Sequence, residues 1–294
     1  MSITESKLKV EIVPETPGFG AVVVGVDARE PLGDELVATL KEAVLHYKVL
    51  FFRAQHLSRS EHVALAAQFG ETFFNKSKYP NAYDEEGLAN VSVVPNFHAD
   101  VMYRPESPSF SFLQMLELPE VGGDTVWVDL VASYLDLSQQ FREFLETLTV
   151  MQGVRDYDLS DDELRLEFKQ RKGKDLTLDE IRELREELAP WEAPLVRVIP
   201  ENGVKNYWIA PAVTRMIKGL SKEESDAVLG VLFRHQMQPK YVYRWRWGAG
   251  DIAFWDQRTT LHCGMTDYGT VKRHGNRISI VPNRPIGIVS PPSS

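Results

Sequence analysis

The sequence predicts a mainly β fold with flanking helices, a sandwich or small barrel interrupted by one helical insertion. Three observations carry this expectation. Short β-rich runs separated by Pro and Gly breaks recur between residues 91 and 130, at 193–200 and from 241 to 283. The opening 70 residues mix such runs with apolar residues at helical spacing. Residues 156–190 are densely charged and carry helix-start signals. With 294 residues, 43% of them hydrophobic, no internal repeat and no biased linker, a single domain spanning 1–294 is expected.

Taken in order, "AVVVGVD" (21–27) reads as a strand and "GDELVATLKEAVLHYK" (33–48) as a helix with Leu36, Leu40 and Val44 on one face. "VLFF" (49–52) is a short strand of buried character, and "LSRSEHVALAAQFG" (57–70) a second helix with capping serines and a closing glycine. Strands are expected at "VSVV" (91–94), "SFSFLQML" (109–116) and "GGDTVWVDL" (122–130). Within 156–190, Ser160 with Glu163 and Thr177 with Glu180 match the capping box. The second precedes Ile181, Leu184 and Leu188 at helical spacing. This insertion has two readings, a lid over a substrate or a solvated helical pair at a subunit contact. Strands return at "APLVRVIP" (193–200), "YVYRWRW" (241–247), "DIAFW" (251–255) and "RISIVPN" (277–283), with a helical run at 223–237.

Composition removes several classes of function. The net charge of −9 disfavours a nucleic-acid or anionic-membrane partner. "RWRW" (244–247) reads as alternation along a strand rather than as a basic-aromatic nucleic-acid motif. No stretch approaches the ~18 apolar residues of a membrane span. The N-terminal "MSITESKLKVEIVPETPG" lacks the basic start and apolar run of a secretory signal, so a cytoplasmic location is expected. The single cysteine, Cys263, excludes an intrachain disulfide and a thiolate-rich zinc or iron–sulfur site. Any metal must then be held by His, Asp or Glu.

The histidines sort by setting. In "NFHAD" (96–100), His98 and Asp100 stand two apart, and on a strand such residues project to one face. The pair reads either as part of a metal site or as a solvated strand edge. His46 and His62 fall in expected helices, His56 in a turn and His235 in the helical run, all read as surface or satisfied core histidines. His262 and His274 remain, both after "DIAFWD". Two histidines and one carboxylate on one face of an octahedral ion suit non-haem Fe(II) oxygenases, although the same ligands can hold zinc. Arg273, eleven residues after His262, has the guanidinium needed to grip the carboxylate of a chelating cosubstrate. Asp256, in "WDQR", reads as a turn and hydrogen-bonding residue rather than a ligand.

"HADVMY", then "ELPEVGGDTVWVDL", then "RWRWGAGDIAFWDQRTTLHCGMTDYGTVKRHGNR" resemble the taurine dioxygenase and 2,4-dichlorophenoxyacetate dioxygenase family of Fe(II)/2-oxoglutarate enzymes. The likeness extends to "GVDAREPL" and "HYKVLFFRAQ" near the N-terminus. It implies a double-stranded β-helix core, the jelly-roll or cupin-like fold. By position it makes His98, Asp100 and His262 the iron ligands, and Thr125 and Arg273 the partners of the 2-oxoglutarate carboxylate. Arg277 would meet the acidic group of the substrate, facing the same interior as Arg273 if the strand is regular. The implied substrate is a small anion bearing a carboxylate, sulfonate or sulfate, with 2-oxoglutarate and O2 as cosubstrates. Relatives commonly form dimers or higher assemblies, so a homo-oligomer is compatible. Val94, Asn75 and Val213 stand where the taurine enzyme has asparagine, histidine and an aromatic residue, which implies a different, less polar ligand. Val94, Asn96 and Tyr103 are expected at the substrate pocket, with Tyr79, Tyr83 and Phe97 as further candidates for its lining.

The resemblance implies oxidative decarboxylation of 2-oxoglutarate to succinate and CO2, coupled to oxidation of a substrate C–H bond. Hydroxylation is the default outcome. Asp100 argues against halogenation, because related halogenases lack that carboxylate. Two rivals remain at this stage, a jelly-roll protein that binds a metal or small anion without turnover, and a zinc-type hydrolase using the same ligands. A hydrolase has no need of the anchor that Arg273 would provide.

Overall fold

Two short strands, β1 (Glu11–Pro14) and β2 (Ala21–Val24), form the entering antiparallel hairpin. A helix, α1 (Asp34–Tyr47), then carries the chain over to β3 (Val49–Phe52), which pairs parallel to β2, the connection such a pairing requires. Val37, Leu40, Ala43 and Val44 form the buried stripe of α1. The next helix, α2 (Arg59–Ala67), opens with a reciprocal capping box between Ser58 and Glu61. Strands β4 (Leu88–Val91), β5 (Phe110–Glu117) and β6 (Thr125–Asp129) follow, then helices α3 (Leu130–Leu135) and α4 (Gln139–Glu146) and strand β7 (Thr149–Gln152). Beyond α5 (Asp161–Lys172) and α6 (Leu178–Leu188) come β8 (Trp191–Pro194), β9 (Val196–Val198), β10 (Lys205–Tyr207) and β11 (Thr214–Ile217). Helix α7 (Lys222–Gln236) leads into β12 (Val242–Trp245), β13 (Ile252–Asp256), β14 (Thr260–Gly264), β15 (His274–Ile280) and β16 (Gly287–Ile288). This computed structural model describes residues 10–73, 88–91, 96–173, 175–281 and 287–288. Asn75, Tyr79, Tyr83 and Val94 lie outside the described residues.

A seven-stranded sheet in the order β1-β2-β3-β13-β5-β15-β4 faces a three-stranded sheet in the order β12-β6-β14. Their inner faces meet in an aromatic core. Phe51 of β3 stacks on Trp245 of β12 with ring centroids 3.8 Å apart, and Trp127 of β6 meets Trp255 of β13 edge-on. Leu113, Met115 and Ala253 fill the same cluster. The two sheets share no hydrogen-bonded strand pair, so of the two expected architectures the described residues form the sandwich, a jelly roll, and not a closed barrel. "RWRW" alternates as expected, with Trp245 and Trp247 buried and Arg244 and Arg246 exposed. No helix among the described residues is long and apolar enough to cross a membrane.

Both anticipated capping boxes form at the starts of α5 and α6. This helical pair has its own small core of Leu164, Phe168, Leu176, Ile181, Leu184 and Leu188. Tyr103 packs both on that cluster and on the main apolar cluster that includes Ala99, Met102 and Trp208. Arg104 lies 3.8 Å from Glu187 of α6. The insertion is therefore fastened to the segment that directly follows Asp100.

His62 departs from the expectation of a satisfied core histidine. It is buried in α2, and both ring nitrogens lack a hydrogen-bond partner. Burial pushes its pKa down to about 4. The unfolded chain, with a histidine near the usual value, then binds more protons between about pH 6.5 and pH 4. Stability is accordingly lost as pH falls through that window and levels off below it, by roughly 3 kcal/mol in all. His62→Leu is expected to flatten this part of the stability profile. Denaturant titrations of both proteins at pH 7.5 and pH 4.5 check it, and parallel losses in the two would refute it.

Candidate metal centre

His98 and Asp100 do not project from a regular strand, contrary to the sequence expectation. His98 makes an isolated antiparallel bridge to His262, with N–O distances of 3.1 and 2.8 Å in the two directions. That bridge joins the segment before β5 to β14 and sets the two imidazoles side by side, ring centroids 4.4 Å apart. The chain then turns sharply at Val101, whose φ of +55° is rarely adopted by a β-branched residue. Asp100, immediately before this turn, faces both rings. Its Oδ1 lies 3.8 Å from His98 Nε2 and 3.9 Å from His262 Nε2. One donor atom from each residue lies within 4.8 Å of the others. His274, the rival ligand, begins β15, is half-buried and stands outside this cluster.

The protonation states suit a divalent cation. Burial drives the His262 pKa down to about 3, with the neighbouring His98 acting in the same direction. Burial also lowers that of His98, against the pull of Asp100. For Asp100, burial works to raise the pKa, but Arg277 first and then the two imidazoles hold it below the usual value. Near neutral pH the site therefore presents two neutral imidazoles and one carboxylate. His98 Nδ1 lies 2.7 Å from the Asn96 carbonyl, which assigns the proton to that nitrogen and leaves the Nε2 lone pair facing Asp100. This nitrogen and oxygen donor set fits Fe(II).

Gln257 completes the support of Asp100. Its Nε2 donates both to Asp100 Oδ2 and, at 2.8 Å, to Ser111 Oγ. Its Oε1 accepts from the Asp100 backbone N–H at 3.0 Å, so one side chain fixes both ends of the aspartate. Losing such a partner of a metal ligand costs roughly 10- to 100-fold in affinity. We expect Gln257→Leu to weaken Fe(II) binding by that factor while leaving the far-ultraviolet spectrum unchanged. Unaltered iron affinity in an anaerobic titration would reduce Gln257 to a turn residue. Asp256 is occupied by Arg258, whose Nη2 lies 2.8 Å from its Oδ2, and it takes no part in the cluster.

Thr125 and Arg273 meet at the start of β6. Arg273 donates from Nη2 to Thr125 Oγ1 at 3.1 Å and from Nε to the Gly123 carbonyl at 2.7 Å. Gly123 has a φ of +72°, and a Cβ there would come within 3.2 Å of Arg273 Cδ and 3.3 Å of Tyr268. A side chain there would be strained by the backbone and crowded by the arginine. Asp267 accepts from Gly123 N–H at 2.8 Å and, with Asp124, binds Arg244, which ties the two loops together. Thr125 stands two positions along β6 from Trp127, the residue opposite His262, and so shares its face. That offset is ~7 Å along a strand.

Arg277, in β15, is buried and its Nη1 binds Asp100 Oδ1, next to the cluster. Among the remaining candidates, Asn96 is exposed and its carbonyl bonds His98, while Tyr103 and Phe97 are half-buried against the apolar cluster that holds Val213. Sequence reasoning missed Gln257 and Trp247. For Gln257 the available signal was its place beside Asp256 in "WDQR".

The profile of the "Taurine catabolism dioxygenase TauD, TfdA family" matches residues 11–279. The chain belongs to this family. The TauD/TfdA relatives include the alpha-ketoglutarate-dependent sulfate ester dioxygenase of Pseudomonas putida, 30% identical over 96% of this chain and 92% of that one. The alpha-ketoglutarate-dependent 2,4-dichlorophenoxyacetate dioxygenase of Cupriavidus pinatubonensis is 29% identical over 85% of this chain and 90% of its own length. Among solved structures, a taurine dioxygenase from Burkholderia xenovorans aligns with a TM-score of 0.78 at 29% identity, over 95% of this chain and 91% of that one. This TauD/TfdA chain is an oxidoreductase, an Fe(II)-dependent dioxygenase with 2-oxoglutarate and O2 as cosubstrates.

Proposed function

We propose that His98, Asp100 and His262 hold the iron, that Thr125 and Arg273 bind the far carboxylate of 2-oxoglutarate, and that Arg277 grips a small anionic substrate. The bound iron with 2-oxoglutarate supplies activation of O2, yielding succinate, CO2 and an oxidised substrate C–H bond. The observation that carries the substrate class is Arg277, a guanidinium buried beside the three ligands. Arg277 already pairs with Asp100 and places positive charge beside the cluster, where a substrate anion would add a hydrogen bond to a charged group of roughly 1.5–3 kcal/mol. An anion held there keeps its adjacent carbons within reach of the metal, the positioning on which such chemistry depends.

The relatives named for sulfate esters, sulfonates and phenoxy acids support a sulfate, sulfonate or carboxylate head group. We place sulfate esters first, since two relatives aligned over 90% and 96% of this chain are named an alkylsulfatase and a sulfate ester dioxygenase. Hydroxylation of the carbon bearing the ester oxygen would collapse to an aldehyde and free sulfate. The test is succinate formation with Fe(II), 2-oxoglutarate and O2 over a panel of alkyl sulfates, alkanesulfonates, aryloxyacetates and the matching uncharged alcohols. Succinate above the substrate-free level with anions alone supports the reading. Equal stimulation by the alcohols would overturn it.

A further inference from the structure

Trp247 lies just beyond β12, in the aromatic core between the sheets. Its indole Nε1 donates to Thr125 Oγ1 at 2.9 Å. The indole nitrogens of the other five tryptophans, Trp127, Trp191, Trp208, Trp245 and Trp255, make no hydrogen bond to a described residue. Trp247 differs from them in giving its N–H to a hydroxyl that also receives Arg273.

Its consequence follows from counting lone pairs. A hydroxyl oxygen has two acceptor sites and one proton. Thr125 Oγ1 already accepts from Trp247 Nε1 and from Arg273 Nη2, at 2.9 and 3.1 Å. Neither group can act as an acceptor, so the hydroxyl proton can be given to neither. It remains for a third partner, which must offer a lone pair. We infer that Trp247 is a positioning residue, one that fixes Thr125 as an obligate donor to the carboxylate of 2-oxoglutarate. Without the indole bond the hydroxyl could rotate and present a lone pair to the ligand, which repels a carboxylate.

This inference rests on the reading of Thr125 and Arg273 as the cosubstrate anchor. The experiment is anaerobic calorimetry of the Mn(II)-loaded protein with N-oxalylglycine, an unreactive analogue, for the wild type, Trp247→Phe, Thr125→Val, Thr125→Ser and the Trp247→Phe/Thr125→Val double variant. Trp247→Phe keeps an aromatic ring in the core and removes the donor with part of the indole's volume, and the double variant separates the two effects. Its affinity is expected to fall roughly 3- to 10-fold, the worth of one neutral hydrogen bond, with Mn(II) affinity unchanged. In turnover the KM for 2-oxoglutarate should rise while kcat at saturation stays constant. In the Thr125→Val background, Trp247→Phe should cost nothing further, and Thr125→Ser should retain most of the affinity. Wild-type affinity in Trp247→Phe, or a loss that adds in full to that of Thr125→Val, would overturn the inference. A wild type that fails to bind N-oxalylglycine would instead overturn the anchor reading.

Discussion

Asp100→Asn is expected to abolish turnover and to lower Fe(II) affinity by more than ~100-fold, beyond the range seen when only an outer partner of a ligand is lost. The variant keeps the shape of the side chain, so the effect reads charge and not size. It removes the one negative charge among the three proposed ligands, whose other two members are held neutral by burial. It also removes the carboxylate that Arg277 Nη1 contacts. Thermal stability of the metal-free variant should fall as well, because a buried charge-assisted hydrogen bond is weakened. Iron loading measured anaerobically, together with succinate release, checks both statements. Wild-type iron affinity in the variant would remove Asp100 from the coordination set.

Arg277→Leu is the second large effect. It should raise the KM for the anionic substrate by roughly 10- to 100-fold, the equivalent of one charged hydrogen bond, and leave the affinity for 2-oxoglutarate nearly constant. The separation is expected because Arg273, and not Arg277, contacts Thr125 and Gly123; since Arg277 also pairs with Asp100, both proteins are compared at equal metal loading. An uncharged analogue should show the same weak binding in both proteins. Separate titrations of substrate and N-oxalylglycine measure the two affinities. Equal losses for both ligands would contradict the division between the arginines.

Much of this site was legible in the sequence because residue type and order carry it. His98 with Asp100, and His262 with Arg273, are short-range patterns. What linked them was not legible. The bridge between His98 and His262 joins positions 164 apart in the chain, and β14, which carries His262, is a short strand not anticipated from "TLHCG". The expected strand at His98 failed for a related reason. His98 sits in an isolated bridge and the chain turns at Val101, whose left-handed backbone no propensity rule foretells for valine. Gln257 and Trp247 act through hydrogen bonds to Asp100 and Thr125, 157 and 122 residues away in sequence. Such roles depend on register between sheets, which a single sequence does not encode locally. The helices of the insertion were the reverse case. Their capping boxes and apolar spacing are local signals, and both helices begin where those signals place them.

One constellation is proposed to hold iron and 2-oxoglutarate together. Its most direct test is an anaerobic titration of the metal-free protein with Fe(II) and 2-oxoglutarate, following the weak visible charge-transfer band of the chelate in the wild type and in His262→Ala. The account predicts a band that needs both components, saturates at one equivalent of each and is absent from the variant. A wild type that takes up iron normally but develops no band, or a variant that develops it unchanged, would contradict the account.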